Sequence, residues 1–125
     1  MKTLVQYLAV AFAGSLGAVL RLWVGRICGY WFGTGFPIGT FVINISGSLF
    51  LGWFLAAAPR SALSDTTRLA IGVGFVGAYT TFSTFMYESN DLMQKNNQFY
   101  AAVNILGSLV VGLLAVRVGM WLARG

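Results

Sequence analysis

Gly72-Val73-Gly74-Phe75-Val76-Gly77-Ala78-Tyr79-Thr80-Thr81-Phe82-Ser83-Thr84-Phe85 runs through the third of four apolar blocks in this 125-residue chain. Glycine and β-branched threonine are indifferent helix formers. Inside a segment otherwise apolar enough to cross a bilayer, their clustering predicts a helix that breaks at mid-membrane and restarts. Such a break frees carbonyl and N–H groups, which can then bind ions. Phe82 and Phe85 lie three residues apart and share a helical face with Glu88 or Ser89, while Thr81 and Thr84 flank them. Two phenylalanines at that spacing often mark simple packing, but beside a stripe of hydroxyls they are equally candidates to line a polar path.

Outward from this segment, the composition excludes a soluble domain: 58% of residues are hydrophobic and 9% charged, against about 25% charged in soluble proteins. Apolar blocks at residues 3–30, 38–58, 67–93 and 99–123 are each long enough for a membrane helix of roughly 20 residues. The polar and turn-rich connections between them are short, and Pro37, Pro59 and the glycines of Gly33-Thr34-Gly35 break the helices. Ser64 or Asp65 is placed to cap the third helix. The fold class predicted is an all-α membrane protein of four transmembrane helices, with residues 1–125 forming a single four-span membrane domain. Lys2 and the apolar residues 4–12 imitate a secretory leader, but the hydrophobicity runs on past Ala13, so the segment reads as a span.

Eight Lys and Arg against three Asp and Glu give a net charge of +5. The positive residues are scattered, which argues for membrane anchoring and against nucleic acid as a partner. Lys2, Arg60, Arg68, Arg117 and Arg124 fall toward one membrane face, and Arg21, Arg26 and Lys95 toward the other. So weak a bias is compatible with one orientation or with insertion both ways. A single cysteine and no histidine exclude an internal disulfide and histidine-based sites. Gly72-Val-Gly74-Phe-Val-Gly77 matches a nucleotide-binding pattern but lacks the strand that should precede it. Asn44-Ile-Ser46 matches a glycosylation pattern at mid-span, and Glu88 and Asp91 have no nucleophile to serve. The chain is not expected to be an enzyme.

Within lipid each polar side chain needs a partner, so the polar stripes are informative. Thr40, Asn44 and Ser48 recur every four residues on the second span, and Asn104, Ser108 and Gly112 do so on the fourth. Each stripe reads either as a helix-packing seam, through Gly107, Ser108 and Gly112 in the fourth span, or as a ladder of donors along a narrow path. Arg21 either snorkels to an interface or faces a wet vestibule. Four short helices make a filled bundle, so a conducting path implies an oligomer. Amide and hydroxyl donors and electropositive ring edges suit an anion or a small polar solute.

Gly14-Ser-x-Gly17-Ala18-x-x-Arg21, Gly39-Thr40-Phe-Val-Ile-Asn44-x-x-Gly47 and above all Gly77-x-x-Thr80-Thr81-Phe82-Ser83-Thr84-Phe85 with Glu88 resemble the Fluc (CrcB) fluoride channels of microbes. The resemblance covers nearly the whole chain. It implies a passive, selective fluoride channel of the plasma (inner) membrane, built as an antiparallel, dual-topology homodimer with two pores. By similarity Asn44 donates to fluoride, Phe82 and Phe85 line the path, and Ser83, Thr84 and Ser108 wall or hydrate it. Arg21 is then a vestibule residue and Glu88 lies near a pore mouth. The backbone carbonyls of Gly77 and Thr80, two from each copy, imply a structural Na+ at the dimer centre. Asn104 stands where members of the family vary, and Gly112 lacks a hydroxyl. Two other classes fit the residues alone: a proton-coupled small-solute exporter using Glu88 or Asp91, and a non-transporting membrane partner subunit.

Overall fold

In lipid the backbone has no water to bond, so a spanning segment must satisfy its own N–H and C=O groups. Every apolar block of the sequence is accordingly helical in the computed structural model, which describes residues 1–125. α1 spans Lys2–Phe32 and α2 spans Ile38–Ala57, the latter extended by a 3₁₀ turn over Ala58–Arg60. α3 begins as Asp65–Leu69, widens into a π-helical section at Ala70–Val76, and ends in one α turn, Gly77–Tyr79. α4 spans Ser83–Gln94 and α5 spans Gln98–Leu122. α3 and α4 together make one span, so four helical segments are long and apolar enough to cross a membrane.

Local chemistry sets the ends. α1 stops at Gly33, whose φ of 73° suits glycine and whose N–H returns to the Gly29 carbonyl at 3.0 Å. Of the two capping candidates, Ser64 is the cap, accepting from the Thr67 N–H at 3.1 Å. Asp65 lies in the first turn and faces Lys2 at 3.6 Å. The face holding both termini is tied together by arginine: Arg60 donates to the Ala123 carbonyl and Arg68 to the Ala58 carbonyl, each at 2.9 Å. On the opposite face Asn96, at φ 56°, turns the chain from α4 into α5.

Helix packing runs through glycines that let backbones touch. α2 lies along α5, with Gly52 against the Val116 backbone and Gly119 against the Leu49 carbonyl and Trp53 N–H. Gly107, a packing candidate by sequence, faces open space. α1 lies along the π-helical section, where Gly17 meets the Phe75 carbonyl and a Cβ on Gly74 would come within 2.7 Å of the Val10 carbonyl. Gly74 of the α3 glycine run is thus a contact point with α1, whereas Gly72 and Gly77 are not. The interruption falls just after the run, at Thr80–Phe82, because Thr80 turns extended (ψ 160°).

The interruption is held from α2. The Asn44 side-chain NH₂ donates to the Thr81 carbonyl at 2.9 Å, and the Thr81 N–H donates to Asn44 Oδ1 at 2.8 Å. In a continuous helix that N–H would have gone to the Gly77 carbonyl. Thr81 Oγ1 then accepts from the Thr84 N–H at 3.3 Å, which caps the restart. Thr80 meanwhile folds its hydroxyl back onto the Val76 carbonyl at 2.9 Å, with its methyl group in the notch left by Gly47.

Two outcomes follow. Gly119→Ala should destabilise the detergent-solubilised protein by about 1–3 kcal/mol through overpacking, whereas Gly107→Ala should be neutral or slightly stabilising in a thermal unfolding series. Asn44→Leu strips both partners from Thr81, at roughly 1–3 kcal/mol for each buried group. Hydrogen exchange at the Thr81 amide should accelerate in that variant while amides of α5 stay protected.

Candidate functional site

Two cavities meet at the clasped break. The larger, about 530 Å³, opens between α1, the α1–α2 turn and α4. Arg21, Arg26, Thr40, Thr84, Glu88 and Asp91 line it. The smaller, about 270 Å³, is lined by Asn44, Ser48, Thr80, Phe82 and Phe85 among others. Thr81 lines both, so the Asn44–Thr81 pair stands between them.

The α2 stripe therefore crosses from one cavity to the other: Thr40 in the larger, Asn44 at the divide, Ser48 in the smaller. Asn44 is largely engaged by Thr81, yet its NH₂ carries a second hydrogen, and no second acceptor from the protein takes it. Phe82 and Phe85 meet edge to face, with centroids 6.3 Å apart and planes at 62°. Their surroundings differ sharply. Phe82 sits in the interruption itself and is 74% exposed, while Phe85, one turn into α4, is 6% exposed. Aromatic edges are electropositive, so both rings can present weak positive charge to an anion in this cavity without binding it as an ion pair would.

Other residues singled out by sequence scatter around this centre. Arg21 and Glu88 face the larger cavity, and neither forms an ion pair. Asp91, on the same cavity, accepts from Lys95 at 2.6 Å. That hydrogen bond, reinforced by the carboxylate charge, pushes the exposed Lys95 ammonium above its ordinary pKa. Ser83 is exposed at the start of α4 and lines neither cavity; Thr84 is exposed and lines the larger. Ser108 lies on α5 outside both cavities, its buried hydroxyl without a partner. Gly77 is exposed at the end of α3, and Thr80 is half-buried on the smaller cavity.

Tyr79 and Ser46 went unrecognised as supports for this site, and Asn104, singled out only as part of a polar stripe, has a partner that its spacing does not show. Tyr79 is buried against Phe75 and its hydroxyl meets Ser46 Oγ at 2.8 Å. Because Ser46 already donates to the Val42 carbonyl at 2.7 Å, Tyr79 is the donor in that pair. Asn104 has no exposed surface and donates to Ser89 Oγ at 3.0 Å. Asn44-Ile-Ser46-Gly47 thus acts as one socket: Asn44 takes Thr81, Ser46 takes Tyr79, and Gly47 takes the Thr80 methyl group. The spacing of Ser46 and Tyr79 carries no signal in sequence, because their meeting depends on how two distant spans are packed.

The family model described as CrcB-like protein, Camphor Resistance (CrcB), matches residues 8–120. Among similar proteins, the "Fluoride-specific ion channel FluC" of Chloroflexus aurantiacus is 42% identical over 94% of this chain and 94% of its own length. The protein of that name from Acidobacterium capsulatum is 45% identical over 92% of this chain and 93% of its own. That from Methylococcus capsulatus is 45% identical over 93% of this chain, which spans about half (51%) of that relative's length. With a match across nearly the whole four-span unit, including the clasped break and both cavities, the chain belongs to the CrcB-like family.

Proposed function

We propose that this chain is a fluoride channel of the plasma (inner) membrane that lets cytoplasmic fluoride run down its electrochemical gradient. One observation carries the reading: the helix interruption brings a spare amide donor, hydroxyls and two phenylalanine rings around a single cavity, with no carboxylate in it. The fluoride in the proposal comes from the relatives, which carry the name fluoride-specific ion channel over nearly the same length. Neutral donors replace the water that a small anion sheds, and they release it again because they do not bind it as a buried cation would. Arg21 and Arg26 on the larger cavity would raise the local anion concentration at the mouth, with Glu88 and Asp91 limiting how tightly it is held.

The working unit in this proposal is an antiparallel homodimer with two pores. Phe82, Ser83, Thr84 and Gly77 are all exposed at the interruption of a membrane span. Irregular backbone at that depth is tolerated only against protein or a water-filled cavity, so a second copy is the natural cover. Such a pairing brings the Gly77 and Thr80 carbonyls of two chains to a common centre. Diversion of the Thr81 N–H to Asn44 leaves the Gly77 carbonyl without its helical donor. Two carbonyls from each chain make a hard oxygen set that suits Na+ as a structural ion. Passive conduction then suffices for protection, because fluoride that enters as the neutral acid dissociates in a near-neutral cytoplasm and leaves by the channel.

Purified protein in liposomes, under a potassium gradient with valinomycin, should release fluoride rapidly to a fluoride electrode and chloride only slowly. Release no faster than from empty vesicles defeats the reading. Phe82→Ile and Phe85→Ile should each slow fluoride release by at least roughly tenfold, the scale on which the loss of one aromatic contact of about 1.4 kcal/mol acts. A rate unchanged by both removes the rings from the path.

A further inference from the structure

Asn104 occupies an unfavourable place for a residue that serves stability alone. Its side chain has no exposed surface, and Oδ1 is buried with no partner. Nδ2 donates to Ser89 Oγ at 3.0 Å, the one buried side-chain hydrogen bond joining α4 to α5. Ser89, 2% exposed, donates a hydrogen bond from its own hydroxyl to the Phe85 carbonyl at 2.7 Å. A buried amide left half-satisfied costs free energy, and an apolar side chain of similar shape would fill the same space at no such cost.

What the pair does supply is direction. α4 is cut off from α3 by the interruption, so no helical hydrogen bonds fix its rotation about its own axis. Its first turn is held through Thr81, which is clasped by Asn44 and caps Thr84. One turn further on, Ser89 lies directly beneath Phe85 on the same face, at the i, i+4 spacing. A hydrogen bond from α5 to Ser89 therefore sets the rotation of α4 at the level of the ring. Phe85 is the buried member of the aromatic pair, and any turn of α4 changes how it meets Phe82 and the wall of the smaller cavity.

We propose that Asn104, acting through Ser89, is a positioning residue that holds the Phe85 ring at the wall of the ion path. The proposal rests on the reading that Phe85 lines a fluoride path. It assigns Asn104 a role away from the ion, since it lines neither cavity.

The test compares Asn104→Leu, Ser89→Ala and the double variant with the unaltered protein, by fluoride and chloride release from liposomes and by thermal unfolding of the same preparations. The expected result is a fall of roughly tenfold in fluoride release for either single change, as for the loss of one positioning hydrogen bond. A lower fluoride-to-chloride ratio, an unfolding temperature equal or higher, and no further fall in the double variant complete the expected pattern. An unfolding temperature that drops in parallel with flux shows a merely structural contact and overturns the proposal. So does fluoride release unchanged in both single variants, or two losses that simply multiply in the double variant. If the unaltered protein releases no fluoride, the channel reading itself fails and this proposal falls with it; normal release by the unaltered protein with full activity in Asn104→Leu defeats the positioning role alone.

Discussion

The Asn44–Thr81 hydrogen-bond pair is the interaction on which the site depends. A span that stops being helical exposes donors and acceptors that lipid cannot satisfy. Here one amide side chain meets both needs of Thr81, accepting from its N–H and donating to its carbonyl. Because that N–H is taken from the Gly77 carbonyl, the same contact that seals one end of the break opens the other. The chain therefore gains an irregular segment in mid-span without leaving it to fray, and the phenylalanines that follow are delivered to a fixed place.

Geometry and electrostatics divide the labour around this clasp. Charged groups stay in the larger cavity, which Arg21, Arg26, Glu88 and Asp91 line. Beyond the clasp only neutral groups remain: an amide hydrogen, the hydroxyl of Ser48, that of Thr80 with its hydrogen given to the Val76 carbonyl, and two phenylalanine rings. A full charge there would have to be desolvated or paired, and would either repel an anion or trap it. In the proposed channel the smaller cavity would offer several weak contacts in place of one strong one, which suits rapid passage of an ion. Glycines serve a separate purpose, bringing α1 against the π-helical section and α2 against α5 at backbone contact.

Much of this was legible from residue types and spacing. Block lengths located the four spans to within two or three residues, since hydropathy acts on local composition. Low helix propensity around Gly72–Phe85 located the interruption to one region, and the Thr40, Asn44, Ser48 stripe marked the face of α2 that borders both cavities. The break itself falls in the threonines, after a glycine run in which Gly74 lets α1 approach. Gly52 and Gly119 were not distinguishable from Gly107 and Gly112, for a small residue becomes a contact only when a neighbouring backbone arrives. Phe82 and Phe85 are equivalent by spacing, yet one is exposed and the other buried.

Sequence by itself determined that the chain crosses a membrane four times, that its third span is interrupted, and that neutral donors and rings gather beside the interruption. These are consequences of hydropathy, propensity and periodicity, all of which act over a few neighbouring residues. Tertiary structure alone decided that Asn44 clasps Thr81, that Tyr79 bonds to Ser46, and that Asn104 is sealed against Ser89. Each of those contacts joins separate helices, and it forms only once packing has set which faces meet and which polar atoms are left for one another.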